Sequence, residues 1–181
     1  LLAVATNDDL KHIRLAVSGA ESLHPSVMET FVRKTGGAAK LIEGYGITEC
    51  SPVLCINPLE HQKINSVGTF IKGVDHLIVD ISHYRPLPDG KEGMIVVKGD
   101  SVFGGYTDAS IDSPFVTIDD HSYYKTGDLG YVDADGYLYI TGRLKRFIKI
   151  AGEMISLPAI EHVLLEHYGD AEKTVLAVEG C

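Results

Sequence analysis

The spacing of apolar runs and turn residues changes abruptly along this chain, and that change limits what it can fold into. Over the first quarter the reading is strand, helix, strand. Residues 15–17 are a short apolar run followed by Ser18-Gly19-Ala20. Pro25 opens a helical stretch whose Val27, Met28, Phe31 and Val32 share a face, and Gly36-Gly37 closes it. Leu41-Ile42 then leads into Gly44-Tyr45-Gly46. A strand, a crossover helix and a second strand argue for parallel pairing. From about residue 66 to 140 the texture becomes short strands, at 67–71, 76–81, 94–97, 116–118, 130–132 and 137–140. Pro88-Asp89-Gly90 and residues 133–136 are turn signals between them. Two further strands surround Ala151-Gly152, and Pro158 starts a helix with Ile160, Val163 and Leu164 on one face. The expected fold class is α/β. A βαβ edge of a parallel sheet joins an antiparallel, partly barrel-like subdomain, followed by the start of a small α+β domain. The boundary falls near Lys145, giving units 1–144 and 145–181.

Composition excludes several functions. Hydrophobic residues make up 45% and charged residues 23% of the chain, as in ordinary globular proteins. A net charge of −9 with no basic stripe argues against nucleic acid and against anionic membrane as partners. An anionic nucleotide would need a locally positive site or a divalent cation. Cys50, Cys55 and Cys181 form neither an even framework nor a CxxC pair and read as reduced thiols. No apolar run approaches the ~20 residues of a membrane-spanning helix. The start at Leu1-Leu2-Ala3 shows no signal peptide, and the end follows a strand-like TVLAV. The expectation is a piece of a longer cytoplasmic protein, with any inner-membrane attachment carried by parts outside these residues.

Two strings carry candidate chemistry. GYGITE, at 44–49, offers an aromatic face (Tyr45), a hydroxyl (Thr48) and a carboxylate (Glu49) around a glycine turn. YKTGDLG, at 124–130, puts Asp128 after a Thr-Gly pair, where two acceptor oxygens can take both hydroxyls of a ribose. Fifteen positions later comes Arg143, a planar cation able to reach a ribose or a phosphate. A predicted hairpin between Asp128 and Arg143 folds the two together. Each residue alone has a plainer reading. Tyr45 packs a sheet end, Thr48-Glu49 starts a helix, and Ser18-Gly19-Ala20 is a strand end. Asp128 forms a turn, and Lys145 is a solvated charge. His162 and His167, five apart on a predicted helix, are poorly spaced for zinc.

In this order, the strings resemble those of the adenylate-forming enzymes: acyl-CoA synthetases, luciferases and the adenylation domains of peptide synthetases. The resemblance covers most of the 181 residues. It implies a reaction in which a carboxylate joins the α-phosphorus of ATP, pyrophosphate leaves, and a thiol then displaces AMP. It assigns Tyr45, between Gly44 and Gly46, to adenine, and Ser18, Gly19 and Ala20 to the adenine pocket. Thr48 goes to phosphate, Glu49 to Mg²⁺, and Asp128 and Arg143 to the nucleotide. Lys145 becomes the hinge of a mobile C-terminal domain. Lys149 and Gly152 fall in the loop that serves the thioester step, Lys149 meeting a phosphate and Gly152 letting a pantetheine arm pass.

Residues 145–157, KRFIKIAGEMISL, most resemble the acyl-[acyl carrier protein] synthetase half of bifunctional 2-acylglycerophosphoethanolamine acyltransferases. That implies a fatty acid substrate and the phosphopantetheine of acyl carrier protein as acceptor. A fatty acyl-CoA ligase using coenzyme A, or a non-catalytic nucleotide-binding module, is the alternative. The family's phosphate-wrapping loop and its C-terminal lysine are not among these residues, so the chain alone is expected to be inactive.

Overall fold

The computed structural model describes residues 2–20, 23–150, 153–168 and Val178. A short helix, α1 (Asn7–Leu10), opens on a capping box in which Thr6 and Asp9 bond each other's backbone amides. β1 (Leu15–Ser18) leads to α2 (Pro25–Thr35). Pro25 starts this helix because its missing N–H costs nothing there, and Gly36 ends it in the left-handed region at φ 61°. α2 buries Phe31 against Leu41 and Ala39, and the chain returns as β2 (Lys40–Gly46) parallel to β1.

Everything after β2 in the sheet is antiparallel. β3 (Val53–Ile56), β4 (Gly68–Phe70), β5 (Val74–Val79), β6 (Gly93–Gly99), β7 (Phe115–Ile118), β8 (His121–Val132) and β9 (Tyr137–Arg143) complete a nine-stranded sheet. Its order is β1-β2-β3-β4-β9-β8-β6-β5, with β7 also paired to β8. The sheet curls enough for Phe70 on β4 to stack on His76 of β5, ring centroids 3.8 Å apart. β6 is buried on both faces. Ile95 and Val97 join Leu54, Cys55, Tyr124 and Leu138 inside the curl, while Met94 and Val96 join Val79, Ile118, Tyr123 and Leu129 on the other side. Each such buried apolar side chain contributes roughly 1.5–3 kcal/mol. At the opposite end, β1 is an edge strand whose Leu15 and Val17 are exposed.

β8 is twelve residues long and is the strand to which β6, β7 and β9 all pair. The β7–β8 connection is the two-residue turn Asp119-Asp120, both at positive φ, the geometry that matches strand twist. The β8–β9 turn is clasped by Lys63, whose ammonium reaches Asp133 at 2.6 Å and Asp135 at 2.7 Å and lies over the Tyr137 ring. The buried Asn57 holds the Lys63 loop from within through bonds to the Lys63 and Ser66 backbone. After a 3₁₀ turn at Leu144–Arg146, β10 (Phe147–Ile150) and β11 (Glu153–Ser156) pair with each other, and among the described residues with no other strand, and α3 (Leu157–Tyr168) follows.

Candidate functional site

The site is built around a bulge in β8. Lys125 and Leu129 lie opposite Val96 and Met94, so Thr126, Gly127 and Asp128 together face the single residue Ile95. Gly127 takes φ 75°, which an L side chain rarely adopts, and Thr126 repairs the interrupted ladder. Its hydroxyl donates to the Ile95 carbonyl at 2.8 Å and accepts the Asp128 amide at 3.0 Å. Asp128 is thereby turned toward β9, where it stands directly opposite Arg143.

The two oxygens of Asp128 have different partners. Oδ2 accepts the Tyr45 hydroxyl at 2.6 Å, and Oδ1 lies 3.3 Å from Arg143 Nε. Asp128 is 8% exposed, whereas the Arg143 side chain is 59% exposed. The acid is thus held inside while more than half of the Arg143 side chain is exposed. Burial raises the Asp128 pKa, and the Tyr45 hydrogen bond and the Arg143 charge offset only part of that rise. Burial, reinforced by the charge of Asp128, likewise pushes the Tyr45 phenol upward, so it stays protonated and donating.

Tyr45 reaches Asp128 because β2 is forced close to its neighbours by glycine. A Cβ on Gly46 would sit 1.9 Å from the Pro52 carbonyl oxygen, and one on Gly19 would sit 3.0 Å from that of Gly44. The turn Ser18-Gly19-Ala20, with Ala20 at φ 71°, therefore packs on the Gly44 backbone beside Tyr45. Beyond Ile47 the chain makes a single 3₁₀ turn, Thr48–Cys50, rather than a helix. Thr48 is exposed. Glu49 is half-buried, and its Oε1 accepts the Tyr106 hydroxyl at 3.0 Å. Cys50 anchors the turn in the core, its thiol pushed up to about 11 by burial and by the Glu49 charge. Cys55 is pushed up by burial alone, so both thiols are inert packing groups.

Glycine backbone and the β8–β9 register thus bring together Ser18, Gly19, Ala20, Gly44, Tyr45, Gly46, Asp128 and Arg143, with Thr48 and Glu49 one turn away. Lys145 follows on the exposed 3₁₀ turn, and Arg146 pairs with Glu161 of α3. Lys149 stands in β10 opposite Met154 rather than in a loop, and Gly152 lies outside the described residues. Sequence reasoning missed Thr126 and Tyr106. A hydroxyl two residues before Asp128 was a signal for the first, and an aromatic after Gly104-Gly105 for the second. A cleft of about 540 Å³ at the β4–β5 seam, lined by Phe70, Asp75 and His76 among others, shares no residue with this cluster.

Among the described residues no group of three or more His, Cys, Asp or Glu can hold a metal ion. Among the described residues the second carboxylate oxygen of Glu49 accepts no hydrogen bond, and it is the kind of donor expected where Mg²⁺ is held by one carboxylate together with substrate phosphates.

Known proteins share this arrangement of strands. The chain is 34% identical over 177 residues to 4-coumarate–CoA ligase 2 of Nicotiana tabacum, covering 94% of this chain and 32% of that protein. It is 36% identical over 165 residues to 4-coumarate–CoA ligase 1 of Petroselinum crispum, covering 88% and 30%. ATP-bound MatB from Rhodopseudomonas palustris superimposes with a TM-score of 0.72 at 33% identity, over 88% of this chain and 31% of that one. Klebsiella oxytoca NpsA in complex with 3-hydroxyanthranilyl-AMSN gives 0.71 at 25% identity, over 92% and 36%. The chain spans about a third of the length of these relatives. The AMP-binding enzyme family model matches residues 1–107, more than half of the 181, and the chain belongs to that family.

Proposed function

We propose that this chain forms the nucleotide-gripping part of an ATP-dependent ligase that converts an organic acid to its acyl-adenylate and then to a thioester. The observation that carries this reading is the buried Asp128 carboxylate, fixed by Tyr45 on one side and facing the exposed Arg143 on the other. A carboxylate offers about four lone-pair directions, so Asp128 can accept ribose hydroxyls while keeping Tyr45. Arg143 has terminal nitrogens free for a ribose or phosphate oxygen. The turn 18–20 and Tyr45 border the adenine, and Thr48 donates to phosphate. When bound, Mg²⁺ would be held by Glu49 and would neutralise phosphate charge. The chain's own contribution is to bind and orient the nucleotide so that the acid's oxygen meets the α-phosphorus in line.

In this reading residues 1–144 belong to a large domain and residues 145–181 begin a mobile one. Support comes from the nine-stranded sheet, whose last strand ends at Arg143, and from β10 and β11 forming a separate two-stranded sheet among the described residues. Lys145 is the pivot and Lys149 moves with the second unit. The acceptor is a pantetheine thiol. The relatives' names, 4-coumarate–CoA ligases, favour coenzyme A and an aromatic acid, while the run at 145–157 favours acyl carrier protein and a fatty acid.

The test is acid-dependent ATP–pyrophosphate exchange by the protein that carries this chain, with a panel of fatty and aromatic acids. Thioester formation is then assayed on coenzyme A and on holo-acyl carrier protein. Exchange with at least one acid, lost in Asp128→Ala, is expected. Exchange unaffected by Asp128→Ala would overturn the reading. Lys145→Pro should spare exchange and slow thioester formation, because proline fixes φ at the pivot.

A further inference from the structure

We propose that Tyr106 is a positioning residue for Glu49, a role that rests on the reading of Glu49 as the carboxylate that meets the nucleotide's cation. Glu49 occupies a single 3₁₀ turn with no strand partner, so nothing in the sheet ladder fixes its side chain. Its restraint comes from the β6–β7 connection. The Phe103 amide donates to the Glu49 carbonyl at 2.8 Å, and three residues later the Tyr106 hydroxyl donates to Oε1 at 3.0 Å. Between them Gly105 takes φ 117°, which turns the chain so that both donors reach one residue.

The connection is rooted in the barrel. The Phe103 ring meets Tyr106 edge-on at 5.0 Å and Tyr124 edge-on at 5.3 Å, and lies 5.9 Å from Phe115. Tyr124 is the buried first residue of the string that carries Asp128. Tyr106 itself is 45% exposed, so its ring fills no core position, and its phenol donates to Glu49 while also meeting the Tyr124 hydroxyl. A phenol is suited to this task. It restrains one carboxylate oxygen without cancelling the negative charge, whereas an arginine or lysine there would neutralise it. The other oxygen is left for a cation arriving with phosphate.

Tyr106→Phe keeps the ring and removes the donor. We would measure the Kd for ATP by calorimetry, with Mg²⁺ and with EDTA, in the wild-type protein that carries this chain, in Tyr106→Phe, in Glu49→Gln and in the double variant. The expected result is about a three- to tenfold weaker Kd with Mg²⁺ in Tyr106→Phe, the effect of one hydrogen bond. The Kd in EDTA should be unchanged, and the double variant should be no weaker than Glu49→Gln. Wild-type affinity in Tyr106→Phe alongside a weakened Glu49→Gln would overturn the role of Tyr106. Equal losses with and without Mg²⁺ would reduce Tyr106 to packing and also overturn it. If Glu49→Gln leaves the Mg²⁺ dependence intact, the reading of Glu49 falls, and the inference with it.

Discussion

Asp128 and Glu49 are both carboxylates held by a tyrosine hydroxyl, yet their surroundings could hardly differ more. Asp128 projects from a strand bulge, is buried, has Arg143 fixed opposite it by strand register, and receives Tyr45 at 2.6 Å from β2, with β3, β4 and β9 between the two strands in the sheet order. Glu49 sits on an isolated turn, half in solvent, without an ion pair among the described residues, and receives Tyr106 at 3.0 Å from a long connection. The first arrangement is over-determined. Moving Asp128 would break ladder bonds, the Thr126 contacts and an ion pair together. The second is set by a few contacts from one segment and can shift at small cost. Under the proposed function, a grip on ribose would suit the first kind of support and a carboxylate meeting a cation the second.

Three substitutions test that contrast. Gly46→Ala should have the largest effect, because its methyl would meet the Pro52 carbonyl oxygen at 1.9 Å in the segment that joins Tyr45 to Glu49. We expect a loss of about 3 kcal/mol or more in urea unfolding, and with it both walls of the site. Normal stability would mean that the Pro52 turn yields easily and that the two walls are less coupled than the geometry implies.

Asp128→Asn should weaken nucleotide affinity at least about tenfold, since each hydrogen bond to a charged group contributes roughly 1.5–3 kcal/mol. It should also stabilise the fold near neutral pH. Burial raises the Asp128 pKa above its unfolded value, so the folded state binds the extra proton. The group's contribution to stability is then fully present below the ordinary carboxylate range and is lost as pH rises through the raised value. Asparagine carries no such penalty. The stability gap between variant and wild type should therefore widen from acid toward neutral pH in a series of urea melts, and a constant gap would count against a strained, buried charge.

Lys63→Met should do least. It removes the clasp at the far end of the β8–β9 hairpin, where the ion pairs are exposed to screening. A small, salt-dependent loss of stability with unchanged nucleotide affinity is expected. A marked loss of affinity would show that the clasp, and not the ladder, sets the Asp128–Arg143 register.

The same contrast decides what could be read from the sequence. Strands packed on a core announce themselves by apolar runs, and the expected strands near 67–71, 76–81, 94–97, 116–118 and 137–140 all lie within or against β4 to β9. Pro25 and Gly36 marked the ends of α2 for local reasons that tertiary structure does not override. The Asp128–Arg143 approach was legible because a hairpin is a local event. β8 was seen only over its last three residues, since Ser122, Lys125, Thr126 and Gly127 hide the alternation that burial later imposes. β3, four residues long and directly after Pro52, was not among the expected strands, because so short a run offers little alternation to read. The 3₁₀ turn at Thr48 and its tie to Tyr106 depend on contacts across 57 residues, which no local pattern reports.

β1 carries a consequence for anyone who handles this chain in a test tube. Among the described residues it stands at one end of the sheet order, and Leu15 and Val17 are exposed on it. Unpaired amides beside aliphatic side chains are a template for a second molecule's strand. Concentrated preparations should therefore cloud or form soluble aggregates before the fold itself fails, and light scattering should rise with protein concentration at temperatures well below the melting transition. A lysine at Val17 would keep the strand and add the charge with which natural edges deter such pairing.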